Sequence, residues 1–253
     1  CETACGLDGD EFLAALDESA TERMVAHLDR MVARYRSGEP LAYVMGRWSF
    51  RRVELMIDRR VLIPRPETEL VAERAIALAA SMPAPRRVVD LGTGSGAIGL
   101  SLAAELPIDG TEVWLTDVSS DAIDVARANA AGVGRAAANV RFAEGEWFAA
   151  LPNELRHGFC VVVANPPYIA IDDSEVDASV REWEPHGALF AGDDGLDDVR
   201  TIVREAREWL VPGGWLVMEF GHRQGDAVRA LAVDAGFTDV TIAKDLAGRD
   251  RFV

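Results

Sequence analysis

Between Val88 and Gly96 the chain passes from Val88-Val89-Asp90-Leu91 directly into Gly92-Thr93-Gly94-Ser95-Gly96. Branched apolar residues that do not alternate with polar ones need cover on both faces, which parallel strands receive from helices. Glycines placed directly after such a strand permit φ > 0 and let a ligand approach the backbone closely. A helical pattern then runs to about Leu106. Strand, glycine turn and helix in that order restrict the chain to α/β architectures with a ligand-facing sheet edge.

The rest of the sequence repeats the alternation. A helix is predicted over Thr68 to about Ser81, before the first strand. Strand Val113 to Thr116, a helix from Ser120 to about Ala131, and strands Val140 to Ala143 and Phe159 to Ala164 follow. Later come a helix from Leu196 to about Leu210, a turn at Pro212-Gly213-Gly214, strand Trp215 to Phe220, a helix to about Ala235 and strand Asp239 to Ala243. This is a doubly wound α/β sheet. Ahead of it, apolar residues from Gly9 to Arg36 recur at three- and four-residue steps, as amphipathic helices do, and Ser37-Gly38-Glu39-Pro40 ends them. Trp48 to Ile57 predicts a β-hairpin turning around Arg51-Arg52. The expected division is residues 1–38 as a helical part, 39–65 as a linker with the hairpin, and 66–253 as the α/β domain.

Composition narrows the function. Apolar residues make up 49% and charged ones 27%, as in globular enzymes. No apolar run approaches the roughly 18 to 20 residues of a membrane span, and the first thirty residues lack a basic start followed by an apolar stretch. The three cysteines, Cys1, Cys5 and Cys160, close no disulfide framework, and no Cys or His pair has zinc-ligand spacing, so the cytoplasm is the expected compartment and no metal is expected. A chain that starts with Cys reads as one with a trimmed beginning, with a processed lipoprotein end as the alternative. The formal net charge of -16 argues against phosphate-tracking nucleic-acid binding, which needs surplus positive charge.

The glycine loop suits a nucleoside cofactor. Asp117 ends the next strand, 25 residues after Gly92, where a carboxylate can accept both hydroxyl protons of a ribose. Gly94-Ser95-Gly96-Ala97-Ile98-Gly99 also matches G-x-G-x-x-G, so a nicotinamide dehydrogenase stays open at this point. A ligand-free turn and a surface acid are the plain alternatives. Strand Phe159 to Ala164 delivers Asn165-Pro166-Pro167-Tyr168 to the same sheet edge. Consecutive prolines fix φ and lack amide protons, so they hold the Asn165 side chain and nearby carbonyls in one geometry. The Asn165 side-chain oxygen and the Pro166 carbonyl can then take the two hydrogens of a planar NH2 group, with Tyr168 stacked on it.

With these residues in place, the sequence resembles the protein-glutamine N5-methyltransferases that modify peptide chain release factors, within the class I AdoMet-dependent methyltransferases. The resemblance runs from about Glu39 to the C-terminus. It rests on Glu39-Pro40-Leu41-Ala42-Tyr43-Val44-Met45-Gly46, on Leu62-Ile63-Pro64-Arg65-Pro66-Glu67-Thr68-Glu69, on Asp90 to Gly96 and on Asn165 to Tyr168. The Asn-Pro-Pro-Tyr tetrad is shared with adenine-N6 DNA methyltransferases and some RNA guanine enzymes. The Ile-Pro-Arg-Pro-Glu-Thr-Glu segment resembles the release-factor enzymes specifically.

The resemblance implies a seven-stranded Rossmann-like sheet and methyl transfer from S-adenosyl-L-methionine to the side-chain amide of a glutamine in a Gly-Gly-Gln loop, leaving S-adenosyl-L-homocysteine. It implies that Gly92, Thr93, Gly94, Ser95 and Gly96 line the methionine end of the cofactor, Asp117 holds the ribose, Trp147 borders the adenine, and Asn165 lies between cofactor and substrate. Pro166, Pro167 and Tyr168 complete the catalytic set. Glu146 stands where the family usually has Asp, and Glu184-Pro185 matches a family segment of either structural or substrate-contacting role. The family's helical domain grips the release factor. Here only about 38 residues precede Glu39, and relatives run a few residues further through a final strand, so the chain reads as a fragment; a monomer is expected. A nucleic-acid N6-adenine or N2-guanine methyltransferase and a non-enzymatic AdoMet-binding partner of translation are the competing readings.

Charge is uneven. From Asn165 to Asp198 ten acids face one base, Arg181. From Leu41 to Glu67 six arginines face three acids, a local surplus that suits an acidic protein partner.

Overall fold

Small and branched apolar residues build the centre of the molecule. The structure, a computed structural model, describes residues 1–253. The strands β3 (Arg86–Leu91), β4 (Thr111–Asp117), β5 (Val140–Glu144), β6 (Phe159–Ala164) and β7 (Leu210–Met218) form one parallel sheet in the order β5-β4-β3-β6-β7. Strand periodicity sorts their side chains. Val88, Val161, Val163 and Val217 enter the larger core, with α5 (Thr68–Ser81), α6 (Ala97–Glu105) and α7 (Ser120–Val133). Val89, Leu91, Val162, Ala164 and Met218 enter the other core, under α9 (Asp197–Trp209) and α10 (Gly225–Asp234). Burial on both faces is what the unbroken apolar run of β6 requires.

The continuous sheet has five strands, not the seven that the resemblance implies. The remaining two, β8 (Ala243–Lys244) and β9 (Asp250–Phe252), form a short antiparallel pair of their own. Met218 and Val253 exchange backbone hydrogen bonds of 2.9 Å, and Glu219 bridges Phe252, so this pair is tacked to the end of β7. Its length explains the difference. Asp239 adopts φ 56 and bends the chain, so the strand expected from Asp239 begins only at Ala243, and a register shift follows at Lys244. Pro212-Gly213-Gly214, read as a turn, lies within β7 at an irregular stretch of its pairing with β6.

The N-terminal part holds α1 (Glu2–Cys5), α2 (Gly9–Ala14), α3 (Glu22–Arg36) and α4 (Leu41–Met45) around a small core of Ala4, Met31 and Val44. Arg34 forks onto buried Glu39 at 2.8 and 2.6 Å and reaches the Tyr43 carbonyl, closing the turn between α3 and α4. Strands β1 (Arg47–Phe50) and β2 (Val53–Met56) form the expected hairpin, with Arg51 at φ 50 in the turn. The hairpin is fastened to the α/β domain. Arg51 makes a two-bond contact with Glu105 at 2.7 and 2.9 Å, and Asn129 bonds both backbone groups of Met56. No helix is long and apolar enough to cross a membrane.

Candidate active site

Strand register brings the functional segments to one edge of the sheet. Leu91 pairs with Thr116 on one side and Ala164 on the other, Asp117 pairs with Glu144, and Ala164 pairs with Met218. The residues just beyond, Gly92, Asp117, Asn165 and Glu219, therefore leave adjacent strands at one level, where open α/β sheets bind ligands.

Gly92, Gly94 and Gly96 have φ of 68°, 55° and 86°, a region costly for side-chain-bearing residues. The loop is braced from below. Asp90, buried in β3, accepts from the Thr93 hydroxyl at 2.6 Å and the Gly99 amide at 2.9 Å through the same oxygen, Oδ2. Its Oδ1 is buried without a partner. Burial pushes the Asp90 carboxyl up to about 7, against these hydrogen bonds and with help from the charge of Asp117. Asp117 accepts from the Gly94 amide and from the Ser119 amide, each at 2.9 Å, and burial also raises its pKa. Two of a carboxylate's roughly four lone-pair positions are thus used by the protein.

Trp147 adopts φ 44 and lies against the loop: a methyl group added at Gly92 would come within 3.2 Å of its ring. Its indole nitrogen donates to Asp198 at 3.2 Å. Glu146 points to solvent. Glu184 is buried and bonds Arg65 and the Ile63 amide, so here it has a structural role, joining the Pro-Arg-Pro segment to the loop after β6.

Beyond β6, Asn165 Nδ2 donates to Thr68 Oγ1 at 3.3 Å, and Thr68 donates to Glu219 Oε2 at 2.7 Å. The Tyr168 hydroxyl donates to Glu219 Oε1 at 3.2 Å. Burial pushes Glu219 up to about 7, opposed by Thr68, Arg251 and Tyr168. Burial also raises the Tyr168 phenol. The Asn165 side-chain oxygen and the Pro166 carbonyl accept no hydrogen bond from the protein.

The sequence-predicted residues fall into two linked groups, the glycine loop with Asp117 and Trp147, and Asn165 with Tyr168. Thr68, Glu219 and Asp198 were not singled out. Glu219 does carry a signal, a lone acid closing the apolar strand Trp215 to Phe220, the same mark that Asp90 leaves in β3.

Fold and site define a class I methyltransferase. The methyltransferase small domain model matches residues 72–182, and the PrmC N-terminal domain model matches residues 1–46. The release factor glutamine methyltransferase of Burkholderia pseudomallei is 45% identical over 98% of this chain and 86% of its own length. That of Xylella fastidiosa is 43% identical over 96% and 83%. A solved SAM-dependent methyltransferase from Agrobacterium tumefaciens, 20% identical with a TM-score of 0.55, covers 75% of this chain and 58% of its own, and shares the fold. The chain belongs to the release factor glutamine methyltransferase family, whose methyl donor is S-adenosylmethionine.

The residues present fit that donor. Gly94 faces open space, with no atom within 4 Å of an added methyl group, and the unpaired Asp90 oxygen and Asp117 supply negative charge for a cationic nucleoside.

Proposed function

We propose that this chain methylates the side-chain amide nitrogen of the glutamine in a Gly-Gly-Gln loop of a bacterial peptide chain release factor. One observation carries the reading: Asn165 Oδ1 and the Pro166 carbonyl are two fixed acceptors left free beside the glycine loop. A primary amide presents two N–H donors in one plane, and its lone pair is delocalised. Each acceptor takes one N–H, which fixes the amide plane and so the direction of the nitrogen lone pair, which stands perpendicular to it. As the nitrogen takes the methyl and gains positive charge, both hydrogen bonds strengthen, so they stabilise the transition state more than the ground state; one N–H proton then passes to water, and the C–S electron pair would stay with the donor's sulfur.

Bound S-adenosylmethionine supplies an electrophilic methyl on a positively charged sulfur. Gly92 to Gly96 would hold its methionine end, Asp117 its ribose, and Trp147 its adenine. Pro166 and Pro167 hold the acceptors still, and Tyr168 flanks the amide. Residues 1–38 would help grip the release factor, 39–65 link them to the catalytic unit, and 66–253 form that unit. The proposed groups of one chain suffice for the reaction, so a monomer acting in the cytoplasm, where a release factor works, completes the reading.

Labelled S-adenosylmethionine and a bacterial class I release factor provide the test. The expected outcome is label on that glutamine; no transfer rejects the reading. Asn165→Ala should lower kcat roughly 100-fold or more with cofactor affinity nearly unchanged, as calorimetry would show.

A further inference from the structure

The hydrogen bonds that anchor Asn165 pass through two residues to which the methyl-transfer reading gives no task. Thr68 stands at the start of α5 and Glu219 just beyond β7, 151 positions apart, yet they lie 2.7 Å from each other and each is less than 4% exposed. We infer that Glu219 and Thr68 are positioning residues that decide which end of the Asn165 amide faces the substrate; the inference rests on the proposed transfer to an amide.

Hydrogen-bond direction sets the orientation of Asn165. An ionised carboxylate only accepts, and a hydroxyl has a single proton. With the Thr68 proton committed to Glu219, the Thr68 oxygen can only accept, and of the two ends of Asn165 only the NH2 can donate to it. Asn165 Oδ1 is thereby turned away, toward the side of the Pro166 carbonyl. The reversed amide would set Oδ1 against the Thr68 lone pairs and present NH2 to the substrate's NH2, acceptor to acceptor and donor to donor. Glu219 also takes the Tyr168 hydroxyl, so one carboxylate fixes a residue on each side of the two prolines. In Glu219→Gln the new amide can donate to Thr68, which frees the Thr68 proton for Asn165 Oδ1 and allows the reversal.

Three variants in the full chain test this: Glu219→Gln, Thr68→Val and Thr68→Ser. Steady-state kinetics with release factor, calorimetry with S-adenosylmethionine and the side-chain 15NH2 signals of Asn165 in cofactor-free protein, assigned by their loss in Asn165→Ala, are read together. The relay predicts that Glu219→Gln and Thr68→Val lower kcat about tenfold or more, with KM and cofactor affinity within about twofold. Thr68→Ser, which keeps the hydroxyl, should recover most of the turnover. The Asn165 amide signals should shift in the first two variants and stay close to wild type in the third. Folded variants whose kcat and Asn165 signals both match wild type overturn the inference. Absence of transfer by the wild-type protein would instead overturn the proposed function, and the amide signals alone would then decide the relay: moved signals support it and unmoved ones reject it.

Discussion

Asp90 and Glu219 are single carboxyl groups at the ends of apolar strands, and burial pushes each up to about 7. In the unfolded chain such groups titrate near 4, so between about pH 4 and pH 7 the folded state holds more protons than the unfolded one. Stability is therefore greatest below this window and falls as pH rises through it, by up to roughly 1.4 kcal/mol per pH unit for each group. Asp90→Asn should flatten the fall in Tm between pH 5 and pH 7 while weakening S-adenosylmethionine binding about tenfold, because the charge that burdens folding is the one a cation would meet. An unchanged slope of Tm against pH would contradict this. Turnover should respond in the opposite sense. Protonated Glu219 can donate to Thr68, so kcat should decline as pH falls through about 7; the other charged or titratable groups acting on Glu219 are Arg251, Tyr168 and Glu67. At this scale Asn165 was legible because two prolines announce a fixed geometry. Thr68 leaves no such mark, since its partners lie 97 and 151 positions away and no local pattern links them.

Among the secondary elements, the contact that carries most consequence is Asn129 on α7. It is 4% exposed, accepts from the Met56 amide at 2.7 Å, and donates to the Met56 carbonyl at 3.0 Å and the Ser95 carbonyl at 2.8 Å. One side chain thus pins the hairpin and the glycine loop together. Asn129→Leu leaves three backbone groups without their partner, and the buried Ser95 carbonyl cannot turn to water. A loss of about 2 kcal/mol is expected by chemical denaturation, accompanied by weaker cofactor binding. Full stability in that variant would show that the loop needs no such brace. Helix α5 and strand β6 were readable at their observed limits, because a 3.6-residue stripe and an unbroken apolar run are local signals. α4 and α8 (Ala178–Trp183) are only five and six residues long, too short for periodicity to show, and tertiary contacts hold them. The surplus of arginines in the hairpin segment is also changed by folding. Arg47, Arg51, Arg52, Arg59, Arg60 and Arg65 each meet a carboxylate, and Asp8, Glu39, Glu105 and Glu184 come from outside the segment. That surface is therefore far less positive than its sequence, and its case as a docking site for an acidic partner weakens accordingly.

For the molecule as a whole, the alternating strand and helix pattern specified the doubly wound sheet, while the number of strands in it depended on a C-terminal pair too short and too bent to register as a pattern. The formal net charge of -16 is a count over the sequence, and what matters to a partner is where folding places it. Of the ten acids between Asn165 and Asp198, Glu184 is buried against Arg65, Asp198 holds Trp147, and Glu175, Asp194 and Asp197 pair with Arg223 or Arg200. Asp173 is half-buried and accepts from the Glu175 amide, and Asp172, Asp177, Glu182 and Asp193 remain exposed without a basic partner. They follow the Asn165 segment directly, on a protein whose formal net charge is -16. A nucleic-acid methyltransferase using the same tetrad would have to draw a phosphate backbone past these charges, and duplex binding gains its affinity from cations that displace counterions. Duplex DNA and rRNA fragments should accordingly accept no methyl group and show no binding tighter than about 10 µM at physiological salt by fluorescence anisotropy. Replacing Asp172, Asp177, Glu182 and Asp193 together by Asn or Gln should leave the fold intact and still yield no methylated base, because removing repulsion does not create the cationic track that a duplex requires. Methyl transfer to DNA by either protein would revive the nucleic-acid reading over the release-factor one.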